Sequence, residues 1–191
     1  MVRQQIEKIK KLVESTCRRK SNYFGYRAWS EHIVPVIYYA KLLAKKLKAD
    51  VEIVELAAIL HDYGSVSKNE WYLNHHIIGA RLAEEVLRKY NYPPERIKQV
   101  QHCIMAHRAS KRIRAETLEA KIIACADSMA HFANISSLLY LAFMQHGLST
   151  TDGRQFVLDK LRRSWQKLMP VARKILNKKY RAIKIALTID A

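Results

Sequence analysis

The sequence predicts an all-α fold: a single-domain helical bundle with additional C-terminal helices. Apolar residues recur at helical spacing nearly throughout, and no stretch alternates with a two-residue period for long enough to build a sheet. Only five Gly and four Pro interrupt 191 residues, a length that suits one domain with a real core. The opening "MVRQQIEKIKKLVES" lacks the apolar region of a signal peptide, and no run approaches the roughly 20 apolar residues that span a bilayer. A soluble, cytoplasmic protein without a transmembrane segment is expected. Cys17, Cys103 and Cys125 form no Cys-x-x-Cys pair and read as reduced thiols, the last two as small core residues.

Each element follows from local signals. Ile6, Ile9, Leu12 and Val13 make the first helix amphipathic. Ser30 is placed to cap a second helix reaching about Leu47, with His32 in its first turn and Pro35 early enough to bend it. Asp50 caps a third helix, "VEIVELAAILHD", apolar on nearly every side and therefore buried. Gly64 is expected to end that helix, with 65–69 as a polar connection. Asn74 is the candidate cap of "HHIIGARLAEEVLRKY", where Gly79 and Ala80 permit close packing. "NYPPE" breaks the chain, and Pro94 suits the first position of a fifth helix reaching about Arg108. A basic loop leads into "ETLEAKIIACADSMAHFAN", and helices near 136–146, 153–168 and 170–186 complete the chain, punctuated by Gly147 and Pro170. "YRAIKIALTI", at 180–189, is ambiguous between strand and helix.

Charge narrows the partners. Against 17 acidic residues stand 34 Lys and Arg, a formal net charge of +17. Such a field favours a polyanion (nucleic acid, nucleotide or anionic membrane) over a basic substrate. The positive charge gathers at "CRRK", at "RASKRIR" (108–114) and through the C-terminal third.

Within the helical pattern, His32, His61, Asp62, His75 or His76, His107 and Asp127 fall on faces that otherwise read as buried. A buried carboxylate is costly unless paired or bound to a cation, and Asp127 stands too far inside its helix to cap it. Imidazole and carboxylate are the ligands of first-row divalent metals. Taken singly, His61 and Asp62 are equally compatible with a well-satisfied helix end, so the residues alone leave both readings open.

The order His32, then His61 and Asp62 adjacent, then Asp127, in the contexts "WSEHIVPVIYYAKLL", "LAAILHDYGS" and "LEAKIIACADSMAHF", resembles the HD superfamily of metal-dependent phosphohydrolases. "HHIIGARLAEEVL" and "HCIMAHRAS" extend the likeness, which covers about 30–135. The resemblance implies a divalent cation (Mn, Fe, Co, Ni, Mg or Zn), one or two per chain, held by His32, His61, Asp62 and Asp127. It implies roles for His75 and His107 at a second metal or at phosphate, His75 being preferred to His76 because it stands four residues before Gly79. His107 is preferred to His102, five residues away and unable to share its helix face. Asp62, His75 and His107 are then the candidate catalytic groups: Asp62 to orient or deprotonate water, a neighbouring His to protonate the leaving oxygen. Lys68 and Arg108 are candidate phosphate contacts. His131, one turn beyond Asp127, is placed either to support the metal ligands or, by preference, to be an ordinary packed histidine, and His146 reads as a helix C-terminal one.

The organisation expected is an N-terminal helix and connection (1–28), an HD-type metal-binding core (29–135) and basic C-terminal helices (136–191) packed on the same domain. Those last helices are candidates for a cover on the core, a homodimer face or a nucleic-acid surface. Two functions follow: a metal-dependent phosphohydrolase acting on a phosphorylated small molecule such as a nucleotide, or a basic nucleic-acid or nucleotide-binding module on the same scaffold without turnover.

Overall fold

The computed structural model describes residues 2–108 and 113–188, so part of the basic run at 108–114 lies outside the described residues. The elements in chain order are α1 (Val2–Cys17), α2 (Val34–Leu47), α3 (Val51–Leu60), α4 (Tyr63–Ser67), α5 (His75–Lys89), α6 (Pro94–Ala106), α7 (Leu118–Ala133), α8 (Ile135–Tyr140), α9 (Thr150–Lys167) and α10 (Pro170–Leu187). Wide π-helical turns at Ala28–Ile33 and Leu141–Gln145 and a 3₁₀ turn at Asn69–Asn74 join some of them. Among the described residues there is no strand, and the ambiguous 180–189 stretch is helical through Leu187.

The buried helix predicted from "VEIVELAAIL" is the centre of the fold. In α3 every residue from Ile53 to Leu60 is buried, and α2, α6 and α7 pack around it. Glu55, buried there, is neutralised by Lys41 at 2.7 Å. Asp50 caps α3, accepting from the amides of Glu52 and Ile53, while Arg96 of α6 bridges Asp50 (2.8 Å) and Glu52 (2.7 Å). One hydrophobic core runs from Ile6 of α1 to Ile183 of α10. No single helix among the described residues is long and apolar enough to cross a membrane.

Three local expectations are corrected. Ser30 does not cap a helix: it lies inside the π turn, which runs directly into α2. Pro35 supplies the reason. It has no N–H to give the carbonyl of Glu31, four residues back, so the turn widens. That carbonyl accepts instead from Asn134 Nδ2, at 2.8 Å, beyond the end of α7. Asn74 likewise makes no side-chain cap to α5.

Gly64 does not end α3. The helix stops at Leu60, Asp62 takes a bridge conformation (φ −105°, ψ 11°), and a new helix, α4, begins at Tyr63 with Gly64 inside it. Gly64 serves packing: a Cβ there would lie 2.8 Å from the carbonyl oxygen of His75 and 3.1 Å from the amide nitrogen of Gly79. The expected connection at 65–69 is therefore largely helical.

Candidate metal centre

Helix ends and bends deliver the polar side chains to one place. His32 comes from the π turn, His61 and Asp62 from the corner between α3 and α4, His75 from the first residue of α5, His107 from the end of α6, and Asp127 from the middle of α7. The donor atoms form two groups, His32 with His61 and Asp127, and Asp62 with His75 and His107, each within 4.8 Å. In the first, His32 Nε2 lies 3.2 Å from His61 Nε2 and 3.3 Å from Asp127 Oδ1. In the second, His75 Nε2 lies 3.2 Å from both His107 Nε2 and Asp62 Oδ1. Asp62 joins the groups, because its other oxygen, Oδ2, lies 3.3 Å from His32 Nε2 and 3.4 Å from His61 Nε2.

The histidine tautomers test whether these residues suit a metal. Nδ1 of His61 lies 2.8 Å from the carbonyl oxygen of Ala58, that of His75 2.6 Å from Tyr72, and that of His107 2.5 Å from Ile104. A carbonyl only accepts, so each Nδ1 carries a proton, and in the neutral ring each Nε2 turns a lone pair inward. Two lone pairs 3.2 Å apart, as on His75 and His107, repel unless a cation lies between them. A metal–nitrogen bond of ~2.1 Å with ligand angles of ~90–109° sets neighbouring donors ~3.0–3.4 Å apart. The donor sets fit divalent metal.

Charge agrees with geometry. Among the described residues, neither Asp62 nor Asp127 pairs with a lysine or arginine, and their partners are histidines. Burial opposes their ionisation, yet the surrounding imidazoles hold both carboxyls well below the usual range. Burial would lower His32, but Asp127 and Asp62 outweigh it and push its pKa up to about 9. Burial, with repulsion from His61, pushes His107 down to about 3. The same carboxylates raise the His61 pKa, and a divalent cation would balance both negative charges in place of protons on these rings.

A cavity of about 310 Å³ opens over these donors, and Arg108 of the predicted set lines it. Arg108 Nη1 is fixed by the carbonyl of Leu73 at 2.6 Å. Lys68 lies elsewhere, with its ammonium 4.8 Å from the centre of the Trp71 ring and 3.8 Å from Glu70. His76 is buried beside His75, but its ring belongs to neither donor group. His102 accepts from the amide of Glu116 at 3.2 Å and so anchors the loop before α7. His146 follows the second π turn, its ring against Phe156.

Sequence reasoning missed Tyr72 and the α9 side chains of the wall, and for His131 it preferred plain packing to a supporting role. His131 stacks on His32 (5.6 Å between centroids, 16° between planes), and its Nδ1 lies 2.9 Å from Ser164 Oγ. Its position four residues after Asp127 put it on the same helix face. Tyr72 stacks on His75 and lines the cavity. Lys160, Arg163 and Lys167 of α9 complete the wall. Their spacing of three and four residues was legible as one helix face, but which face covers the site was not.

The HD domain profile matches residues 29–131. The chain belongs to the HD domain family. This HD domain is 37% identical over 100 residues to Ribonuclease Y of Desulforudis audaxviator (strain MP104C), and 33% identical over 99 residues to Ribonuclease Y of Thermobifida fusca (strain YX). Each match covers 52% of this chain and 18% of the relative, so the likeness is confined to a small part of those proteins. The crystal structure of a predicted HD superfamily hydrolase from an uncultured Thermotogales bacterium superposes with a TM-score of 0.59, covering 90% of this chain and 91% of that one at 18% identity. At that identity the shared feature is the fold. HD domain membership and the two donor groups together place the chain among metal-dependent hydrolases.

Proposed function

We propose that this HD domain protein hydrolyses phosphate esters of nucleotides, including nucleotides within short RNA, at a centre whose two donor groups would each hold a divalent cation, with Asp62 placed to serve both. The observation that carries the reading is the position of Asp62 between two donor groups, under a cavity rimmed by Arg108, Lys160, Arg163 and Lys167. His32, His61 and Asp127 would hold one cation and His75 and His107 the other. Cations held there supply Lewis acidity toward a phosphoryl oxygen and lower the pKa of water.

The protein's own residues do the rest. Asp62, with one oxygen toward each group, is placed to orient the attacking water and accept its proton. Arg108, fixed through Leu73, presents its remaining N–H groups to phosphoryl oxygens. His131, braced by Ser164, holds the His32 ring by stacking. The name of the Ribonuclease Y relatives supports RNA phosphodiesters as one substrate class, and the cavity volume supports a single nucleotide or a chain end.

The test is turnover by the purified protein, loaded with Mn²⁺, Co²⁺, Ni²⁺ or Mg²⁺, on a panel of nucleoside monophosphates, cyclic nucleotides and short RNA. Hydrolysis abolished by Asp62→Ala supports the reading. No turnover with any metal, alongside RNA binding that weakens steeply with salt, would replace it with the binding-module reading.

A further inference from the structure

The basic face of α9 is unexplained by a single-phosphate site. Lys160, Arg163 and Lys167 project along one side of the helix and, with Arg108, share the wall of the cavity over the metal centre. Among the described residues none of the three α9 cations pairs with a carboxylate. Arg162, on the solvent side of the same helix, is by contrast paired with Asp159 at 2.9 Å. Lys167 and Arg108 are tied together: Lys167 Nζ donates to the carbonyl of Arg108 at 3.1 Å. The carboxylates of Asp62 and Asp127 line the same cavity but are turned to the histidines, so the rim cations repel one another without ion-pair partners of their own, and an anionic ligand lowers that cost.

The charge balance says how much anion is needed. On the reading above, two divalent cations less the charges of Asp62 and Asp127 leave about two positive charges, enough for one phosphate dianion. With Arg108 assigned to that phosphate, the three α9 cations are surplus to it. A second, smaller cavity of about 150 Å³ adjoins the first: His32, Asp62, Tyr72, His131 and Lys160 line both. Phe24, Tyr140 and Leu138 give the smaller one an apolar and aromatic side, with the amide of Gln145 among its polar groups. An organic group lodged there would leave its charged end beside Lys160.

We infer that α9 forms a second phosphate subsite, built by Lys160, Arg163 and Lys167, which makes the protein selective for substrates carrying a second phosphate next to the one that is cleaved. The inference rests on the hydrolase reading for the cleaved phosphate. Its own residues lie outside the 29–131 span of the family match.

Kinetics on a nucleoside 5′-monophosphate, the matching 5′-diphosphate and the matching 3′,5′-bisphosphate test it. We expect kcat/KM at least about tenfold higher for one of the two-phosphate substrates, the gain lying mainly in KM, as one added charge-assisted contact permits. Which of them gains identifies whether the second phosphate lies along an anhydride or across the ribose. The double substitution Lys160→Gln, Arg163→Gln should bring the ratio near unity, Lys160→Arg should keep it, and Arg162→Gln, which removes equal charge outside the cavity, should also keep it. Equal kcat/KM for all three substrates, or a ratio that survives the double substitution, would overturn the subsite.

Binding separates this failure from failure of the hydrolase reading. In Asp62→Asn protein, titration calorimetry at low salt should show inorganic pyrophosphate binding about tenfold more tightly than orthophosphate, and the double substitution should erase the difference. That pattern, with no turnover by the metal-loaded wild-type protein on any substrate, leaves the subsite standing and the hydrolase reading refuted. Turnover without substrate preference does the reverse.

Discussion

Gly64 of α4 and His75 of α5 touch through their backbones: a Cβ on Gly64 would meet the His75 carbonyl oxygen at 2.8 Å. That approach joins the helix following Asp62 to the helix that begins with His75, so the spacing between two donors of one group is set by a missing side chain. Gly79 lies across the same contact, but a Cβ there meets nothing closer than 3.5 Å.

The two glycines should therefore respond differently to the same methyl group. Gly64→Ala must push α4 and α5 apart and is expected to cost about 1–3 kcal/mol. It should lower bound metal as well, because His75 moves away from Asp62. Gly79→Ala sits at ordinary contact distance and, inside a helix, gains from the better propensity of alanine, so near-neutral stability is expected. Denaturant unfolding and metal content of both variants check this, and equal effects would refute the packing argument.

Metal stoichiometry follows from the position of Asp62 between the two groups. Protein purified without chelator or nickel affinity is expected to hold two equivalents by elemental analysis. Asp127→Ala removes a donor from one group only and should leave about one tightly held equivalent, whereas Asp62→Ala weakens both. Two equivalents retained in Asp62→Ala would exclude the bridge.

His131 stacks on His32 and is held by Ser164, which places it to support that ring. With stacking and the Ser164 hydrogen bond both removed, His131→Ala should weaken metal affinity about 10–100-fold, the usual effect of losing a ligand's support. His131→Phe keeps the flat ring and should recover part of the loss. Competition titration against a metal-sensitive dye measures both, and no change in either variant would leave His131 a packed core residue.

Much of this was legible in the sequence, because helical periodicity and ordered His and Asp residues are local signals. Asp50 before "VEIVELAAIL" announced the cap of α3, and Pro94 the start of α6. What escaped was tertiary. Gly64 looked like a helix stop, the commonest role of glycine after an apolar run, because only the approach of α5 reveals why a side chain cannot fit there. Ser30 looked like a cap, because the vacant Glu31 carbonyl opposite Pro35 is filled by Asn134, a partner 103 residues away. Lys68 and Arg108 were equivalent as charges, and only the carbonyl of Leu73 marks Arg108 as the one held at the cavity.

The cap of α3 yields the pH prediction. Burial would raise the Asp50 pKa, but the amide of Ile53 and the guanidinium of Arg96 outweigh it and hold the carboxyl below its ordinary value. A carboxyl with a lower pKa folded than unfolded stabilises the fold fully above the unfolded value of ~3.9, and the contribution fades as pH falls through the folded value. Asp50→Ala should therefore cost about 1 kcal/mol at pH 7, the usual worth of a helix cap. The gap to wild type should narrow below about pH 4. Urea unfolding of both proteins at pH 7 and pH 3 measures it, and a gap independent of pH would show that Asp50 contributes by shape rather than charge.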